Sequence, residues 1–160
     1  MALFSELGLS QEFVDRLAAD GITQPTPIQA EVFPLVMEGK SVLGFSKTGT
    51  GKTLAFLAPL VQRIFGPEAP TSKGIRLLVM VPTRELAFQV AEEFERLVGT
   101  TRRAVVVVGG EAEDRQIAGA KDADTLVATP GRLIDLLERR MLDVQALEAI
   151  VLDEADRLLD

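Results

Sequence analysis

Two short stretches hold side chains whose types and spacing could do chemistry. The first is Ser46-Lys47-Thr48-Gly49-Thr50-Gly51-Lys52-Thr53. Gly49 and Gly51 let the backbone curl so that successive N–H groups point at one anion, and a helix opening at Lys52 adds its positive end. Lys52 would reach the outer phosphates of a nucleotide, and Thr53 would place its hydroxyl on Mg²⁺. The strict phosphate-loop pattern has Gly where this chain has Ser46, whose Cβ makes the first turn less free. An ordinary Gly-rich turn into a helix is the plainer alternative. The second stretch is Asp153-Glu154-Ala155-Asp156. There Asp153 would hold the Mg²⁺ shell and Glu154 would orient or deprotonate an attacking water. An acidic first helical turn, favoured by the macrodipole, explains those residues equally well when they are taken alone. Pairing with a phosphate loop tips the balance toward chemistry.

These residues need a scaffold that aims them. Short apolar runs at Ser41–Phe45, Ile75–Val81, Ala104–Val108, Thr125–Ala128 and Ala149–Leu152 read as strands, several of them apolar almost throughout, as expected for parallel strands covered on both faces. Between them lie helical patterns near Lys52–Phe65, Arg84–Val98, Asp114–Gly119 and Arg132–Arg140, and two more near Gln11–Ala19 and Pro27–Glu38 precede the first strand. Alternating strands and helices predict an α/β fold, an open and mostly parallel sheet with helices on both faces. The phosphate loop would follow the first strand and the acidic tetrad the last. No linker divides the chain, so a single domain is expected, with 1–40 leading into a core of 41–160.

Composition limits the alternatives. Among 160 residues there is no Cys, His, Trp or Tyr, and 24 acidic side chains against 17 basic ones leave a net charge of −7. Thiol nucleophiles, disulfides, imidazole-ligated zinc and a Ser-His-Asp triad are all excluded. The acidic balance and the lack of Trp and Tyr argue against a simple basic, base-stacking nucleic-acid binder. No basic n-region precedes an apolar run at the N-terminus, and the longest apolar stretch is far short of a membrane span. A soluble, cytoplasmic protein is expected.

The motifs together resemble the DEAD-box family of ATP-dependent RNA helicases, specifically its first RecA-like domain. Asp153–Asp156 spells the family's name. Gly21–Gln29 is similar to the adenine-reading Q motif, with Ile22 where an aromatic is commoner, and Phe4 stands upstream at the family's usual spacing. Pro82-Thr83-Arg84-Glu85-Leu86-Ala87 is similar to motif Ia, Gly109-Gly110 to the GG motif, and Thr129-Pro130-Gly131-Arg132 to motif Ib. The resemblance implies ATP and Mg²⁺ as cofactors, bound through Phe4, Gln29, Ser46–Thr53 and Asp153, with Lys52, Asp153 and Glu154 catalytic.

Some of these residues also have bland explanations. Thr26, Pro27 and Gln29 form a capping box with Pro at its first helical position. The Gln29 amide equally suits the paired donor and acceptor of an adenine edge, with Phe4 packing on the base. Capping and reading would compete for one side chain. Thr83 and Thr129 are each either a helix cap or part of a loop presenting free N–H groups to phosphate. With Pro82, Arg84, Gly109, Gly110, Pro130, Gly131 and Arg132 they would grip one RNA strand by sugar and phosphate, blind to base sequence. Such a grip needs neither aromatics nor a basic net charge. Arg84 and Arg132 could instead be surface salt bridges.

In the family the chain continues beyond the acidic tetrad with a Ser-Ala-Thr strand, lying between the phosphate-loop strand and the acidic strand, and then with a second RecA-like domain. Neither is present in these 160 residues. The sheet is therefore expected to close its gap, to borrow a strand from a second chain as a strand-exchanged oligomer, or to lose the acidic strand. The expected function is the ATP-binding half of an RNA helicase, without unwinding and with negligible ATPase by itself. A non-catalytic RNA- or partner-binding module is the alternative. A generic phosphate-loop kinase or DNA helicase is disfavoured by the Q motif.

Overall fold

The computed structural model describes residues 3–42 and 51–158. Much of the expected first strand and the loop residues Ser46, Lys47, Thr48, Gly49 and Thr50 lie outside that range. Ser41 and Val42, the described part of that strand, are not in a strand. The chain forms two compact units, Met1–Thr71 with Arg96–Gly99, and Ser72–Glu95 with Thr100–Asp160.

The first unit is helical. Helix α1 (Phe4–Leu7) was not expected from the sequence, and α2 (Gln11–Ala19), α3 (Pro27–Met37) and α4 (Lys52–Phe65) follow it. In α4 the residues Leu54, Leu57, Ala58, Val61, Ile64 and Phe65 recur at helical spacing and are all buried. Val32, Phe33 and Val36 form the buried stripe of α3, and the two helices pack together. Arg63 Nη1 donates to Val36 O at 3.1 Å, tying the C-terminal end of α3 to α4.

The second unit holds the sheet. Strands β1 (Leu77–Met80), β2 (Ala104–Val107), β3 (Thr125–Ala128) and β4 (Ala149–Leu152) are all parallel, in the order β2-β3-β1-β4. The crossovers are α5 (Arg84–Val98), whose last residues go with the first unit, then α6 (Glu113–Ala120) and α7 (Pro130–Glu138). A short α8 (Ala155–Leu158) follows β4. On one face Leu78, Leu126 and Val107 pack with Leu133 and Leu136 of α7, and Ile117 of α6 joins the edge of that cluster. Leu77, Val79 and Val127, pointing the other way, are fully buried too. Every strand thus delivers its C-terminal end to one edge of the sheet, where parallel α/β sheets carry their sites.

Two expectations need correction. Ile75–Val81 is a strand only over Leu77–Met80, although Ile75 and Val81 are buried beside it. The strand Ala149–Leu152 is not covered on both faces, because Ile150 and Leu152 are 60% and 53% exposed. Among the described residues β4 pairs with β1 alone, in the register Leu77↔Ala149 to Met80↔Leu152. The acidic strand is therefore in the sheet and not displaced. A buried Arg76, which the sequence did not single out, forms an ion pair with Glu148 and holds the entrance of β4 against β1.

Candidate functional site

In the first unit the corner around Gly51 is built from backbone and amides. Gly51 is the N-cap of α4 with φ of 80°, a left-handed conformation that favours glycine. A Cβ at this position would lie 2.5 Å from Gln29 Nε2. Gln29 is buried, and its Oε1 accepts from Thr26 N at 2.9 Å while Nε2 donates to Gly51 O at 3.1 Å. The Thr26 hydroxyl accepts from Gln29 N at 3.4 Å, which closes the capping box foreseen in the sequence. Among the described residues these bonds use one amide N–H and one of the two Oε1 lone pairs. Phe4 is buried in α1.

The N-cap of α4 is a glycine and offers no capping side chain of its own. A glycine in this conformation at a helix start suits the close approach of a phosphate. Lys52 and Thr53 begin the helix half-buried.

In the second unit the remaining motif residues stand at the C-terminal ends of the four strands. Pro82, Thr83 and Arg84 follow β1; Gly109 and Gly110 follow β2; Thr129, Pro130, Gly131 and Arg132 follow β3; Asp153 and Glu154 follow β4. Backbone bonds hold these loops in line: Val81 N donates to Ala128 O, Thr129 N to Val107 O and Asp153 N to Met80 O, at 2.9, 3.2 and 2.9 Å. The two threonines, alike in the sequence, differ here. Thr83 Oγ1 accepts from Leu86 N at 3.2 Å and caps α5, whereas Thr129 makes no cap bond to α7.

The two arginines meet through Glu111. Arg84 Nη2 lies 2.6 Å from Glu111 Oε1, and Arg132 Nη1 donates to Glu111 O at 3.3 Å and to Gln116 Oε1 at 2.9 Å. Gln116 is buried in α6 and spends its Nε2 on Val108 O at 2.9 Å. Gly110, with φ of 81°, sits against Arg84, whose Nη1 would be 2.6 Å from a Cβ there. Gly109 and Gly131 face open space. Sequence reasoning missed Glu111 and Gln116. Their partners lie 27 and 16 residues away in the chain, and no local pattern announces such bonds.

At the end of β4 the Asp153 side chain is buried, and Glu154 follows with φ of 51°. A non-glycine residue held in the left-handed region stores strain, which collects at working sites. Glu154 Oε1 is 3.3 Å from Arg157 Nη1. Among the described residues no group of three or more carboxylates could hold a metal by itself. The Asp153 carboxylate suits Mg²⁺, an ion usually bound through one or two carboxylates together with substrate phosphates.

Residues 26–160 match the family model for the DEAD/DEAH box helicase. The chain belongs to that family. The DEAD-box chain is 40% identical to the ATP-dependent RNA helicase RhlB of Aliivibrio salmonicida, over 98% of its own length and 37% of that protein's. It is 41% identical to the DEAD-box ATP-dependent RNA helicase CshA of Geobacillus kaustophilus, over all of its length and 34% of that protein's. Its fold matches the crystal structure of a DEAD box protein from the hyperthermophile Methanococcus jannaschii, with a TM-score of 0.89 at 35% identity. That match covers 99% of the DEAD-box chain and 43% of the other. The RecA-like architecture read from the sequence is therefore the fold of this chain, which spans well under half the length of these relatives.

Proposed function

We propose that this chain is the ATP-binding half of an RNA helicase that remodels short RNA duplexes or RNA–protein complexes. The supporting observation is the shared sheet edge, where the loops after β1, β2 and β3 meet through Arg84, Glu111 and Arg132, beside the acidic pair that follows β4. In this reading Arg84, Arg132 and the backbone of Gly109, Gly110 and Gly131 hold phosphates and sugars, so the grip ignores base sequence. Gln29 recognises adenine, and the amides at Gly51–Thr53 with the Lys52 ammonium hold the phosphates. Thr53 and Asp153 supply oxygens to Mg²⁺, and Glu154 takes or orients the proton of the attacking water. Bound Mg·ATP supplies the phosphoanhydride whose hydrolysis drives the cycle.

By itself the 160-residue chain, which spans 37% and 34% of its RhlB and CshA relatives, should bind adenine nucleotide weakly, hydrolyse it negligibly and unwind nothing. A titration with a fluorescent adenine nucleotide tests this. Binding should require Mg²⁺, prefer adenine over guanine and vanish in Lys52→Ala. A preference for guanine nucleotide would refute the assignment, and so would unwinding by this chain alone. RNA binding indifferent to Mg·ATP would instead support a non-catalytic RNA- or partner-binding module.

A further inference from the structure

Phe88 stands one helical turn after Arg84 on α5 and is 41% exposed, while Ala87, Val90, Ala91 and Phe94 form the buried stripe of that helix. Its ring forms one wall of a groove of about 230 Å³. Half-buried Val105 and Val106 of the edge strand β2 line the groove too, as do Arg115 and Gln116 of α6. Glu111 also lines it, and Glu111 is the residue that pairs with Arg84. The groove is therefore continuous with the corner where the two arginines meet. At this size it falls below the ~300–1,000 Å³ typical of sites for drug-sized ligands and suits one flat ring.

A flat apolar ring with an anion a short reach away is the chemistry of a nucleotide in a single strand. We propose that this groove is a base-stacking subsite. One base of an RNA strand whose phosphate lies on Arg84 leaves the strand's own stack and packs on Phe88, beside Val106 at the sheet edge. Stacking uses only the flat π face that every base has, so the subsite accepts any base. The backbone grip thereby gains affinity from bases without gaining sequence preference. The proposal rests on the assignment of Arg84 and Arg132 to RNA phosphates.

The test measures fluorescence anisotropy of a short single-stranded RNA and of an abasic oligonucleotide with the same backbone, each titrated with the full chain. Phe88→Leu keeps the apolar volume but removes the aromatic face. It should weaken the base-bearing RNA about tenfold, within the range of aromatic–base stacking, and leave the abasic strand unchanged. Phe88→Trp should restore binding. Equal loss on both strands, or no loss on either, overturns the subsite. The second result would leave the groove to a protein segment. If an Arg84→Gln, Arg132→Gln double variant binds both strands as the parent does, the phosphate assignment fails and the subsite falls with it.

Discussion

Gln29 and Gln116 are both buried amides that bridge elements distant in sequence, at 4% and 5% exposure. They use the same two atoms in the same way, Oε1 accepting and Nε2 donating to a backbone carbonyl. What differs is the donor to Oε1. For Gln29 it is the Thr26 backbone amide, fixed by the helix it caps. For Gln116 it is the Arg132 guanidinium, at the end of a long side chain that can leave. The corner around Gly51 is thus set by backbone geometry, and the corner at the strand ends by side chains that can exchange partners. Steric changes should act on the first as a switch, and charge changes should tune the second.

The largest effect is expected at Gly51. Gly51→Ala forces a side chain into the left-handed region and into Gln29 Nε2, at a combined cost of about 2–4 kcal/mol. Urea unfolding should show that loss, and the nucleotide titration should show no binding. Native-like affinity in this variant would mean that the cradle is not the phosphate site.

The comparison is sharpest with one substitution made at both glutamines. Gln→Glu keeps the acceptor and removes the donor, leaving a carboxylate against a carbonyl oxygen. At position 29 nothing charged among the recorded partners compensates, and Gln29→Glu should lose roughly 2–3 kcal/mol of stability. At position 116 the new charge faces Arg132, so Gln116→Glu should lose only about 1 kcal/mol and bind RNA more weakly, because Arg132 is held back. Equal losses at the two sites would erase the distinction between a fixed and an exchangeable donor.

What the sequence revealed follows the same division. Helices Gln11–Ala19, Lys52–Phe65 and Arg84–Val98 have the limits that their periodicity predicts, because amphipathic spacing is a local property. The Thr26–Gln29 capping box is equally local and equally legible. The bond from Gln29 to Gly51 crosses 22 residues, and the Arg84–Glu111 pair crosses 27. Neither has a periodic signature. Helix α1 escaped because four residues are too few to show a period. Arg76 sits in an otherwise apolar run, and only its burial beside Glu148 shows that a strand entrance depends on an ion pair. Glu148→Ala should therefore cost roughly 1–3 kcal/mol by chemical denaturation.

The smallest effect on stability, and the most informative for function, is expected at Glu111. Its pair with Arg84 is half-exposed on both sides, and such pairs contribute little to folding, so Glu111→Gln should change stability by no more than ~0.5 kcal/mol. For RNA the situation differs. A phosphate arriving at Arg84 must displace a carboxylate that occupies the same guanidinium edge, and removing that competitor's charge should raise single-strand affinity about threefold at low salt. The gain should shrink as salt rises, since screening weakens the competing pair and the incoming phosphate together. Mg²⁺-dependent nucleotide binding should not change. Weaker RNA binding in Glu111→Gln would reverse the interpretation. Glu111 would then be holding Arg84 in place for the phosphate, and the strand-end corner would be as preorganised as the one around Gln29.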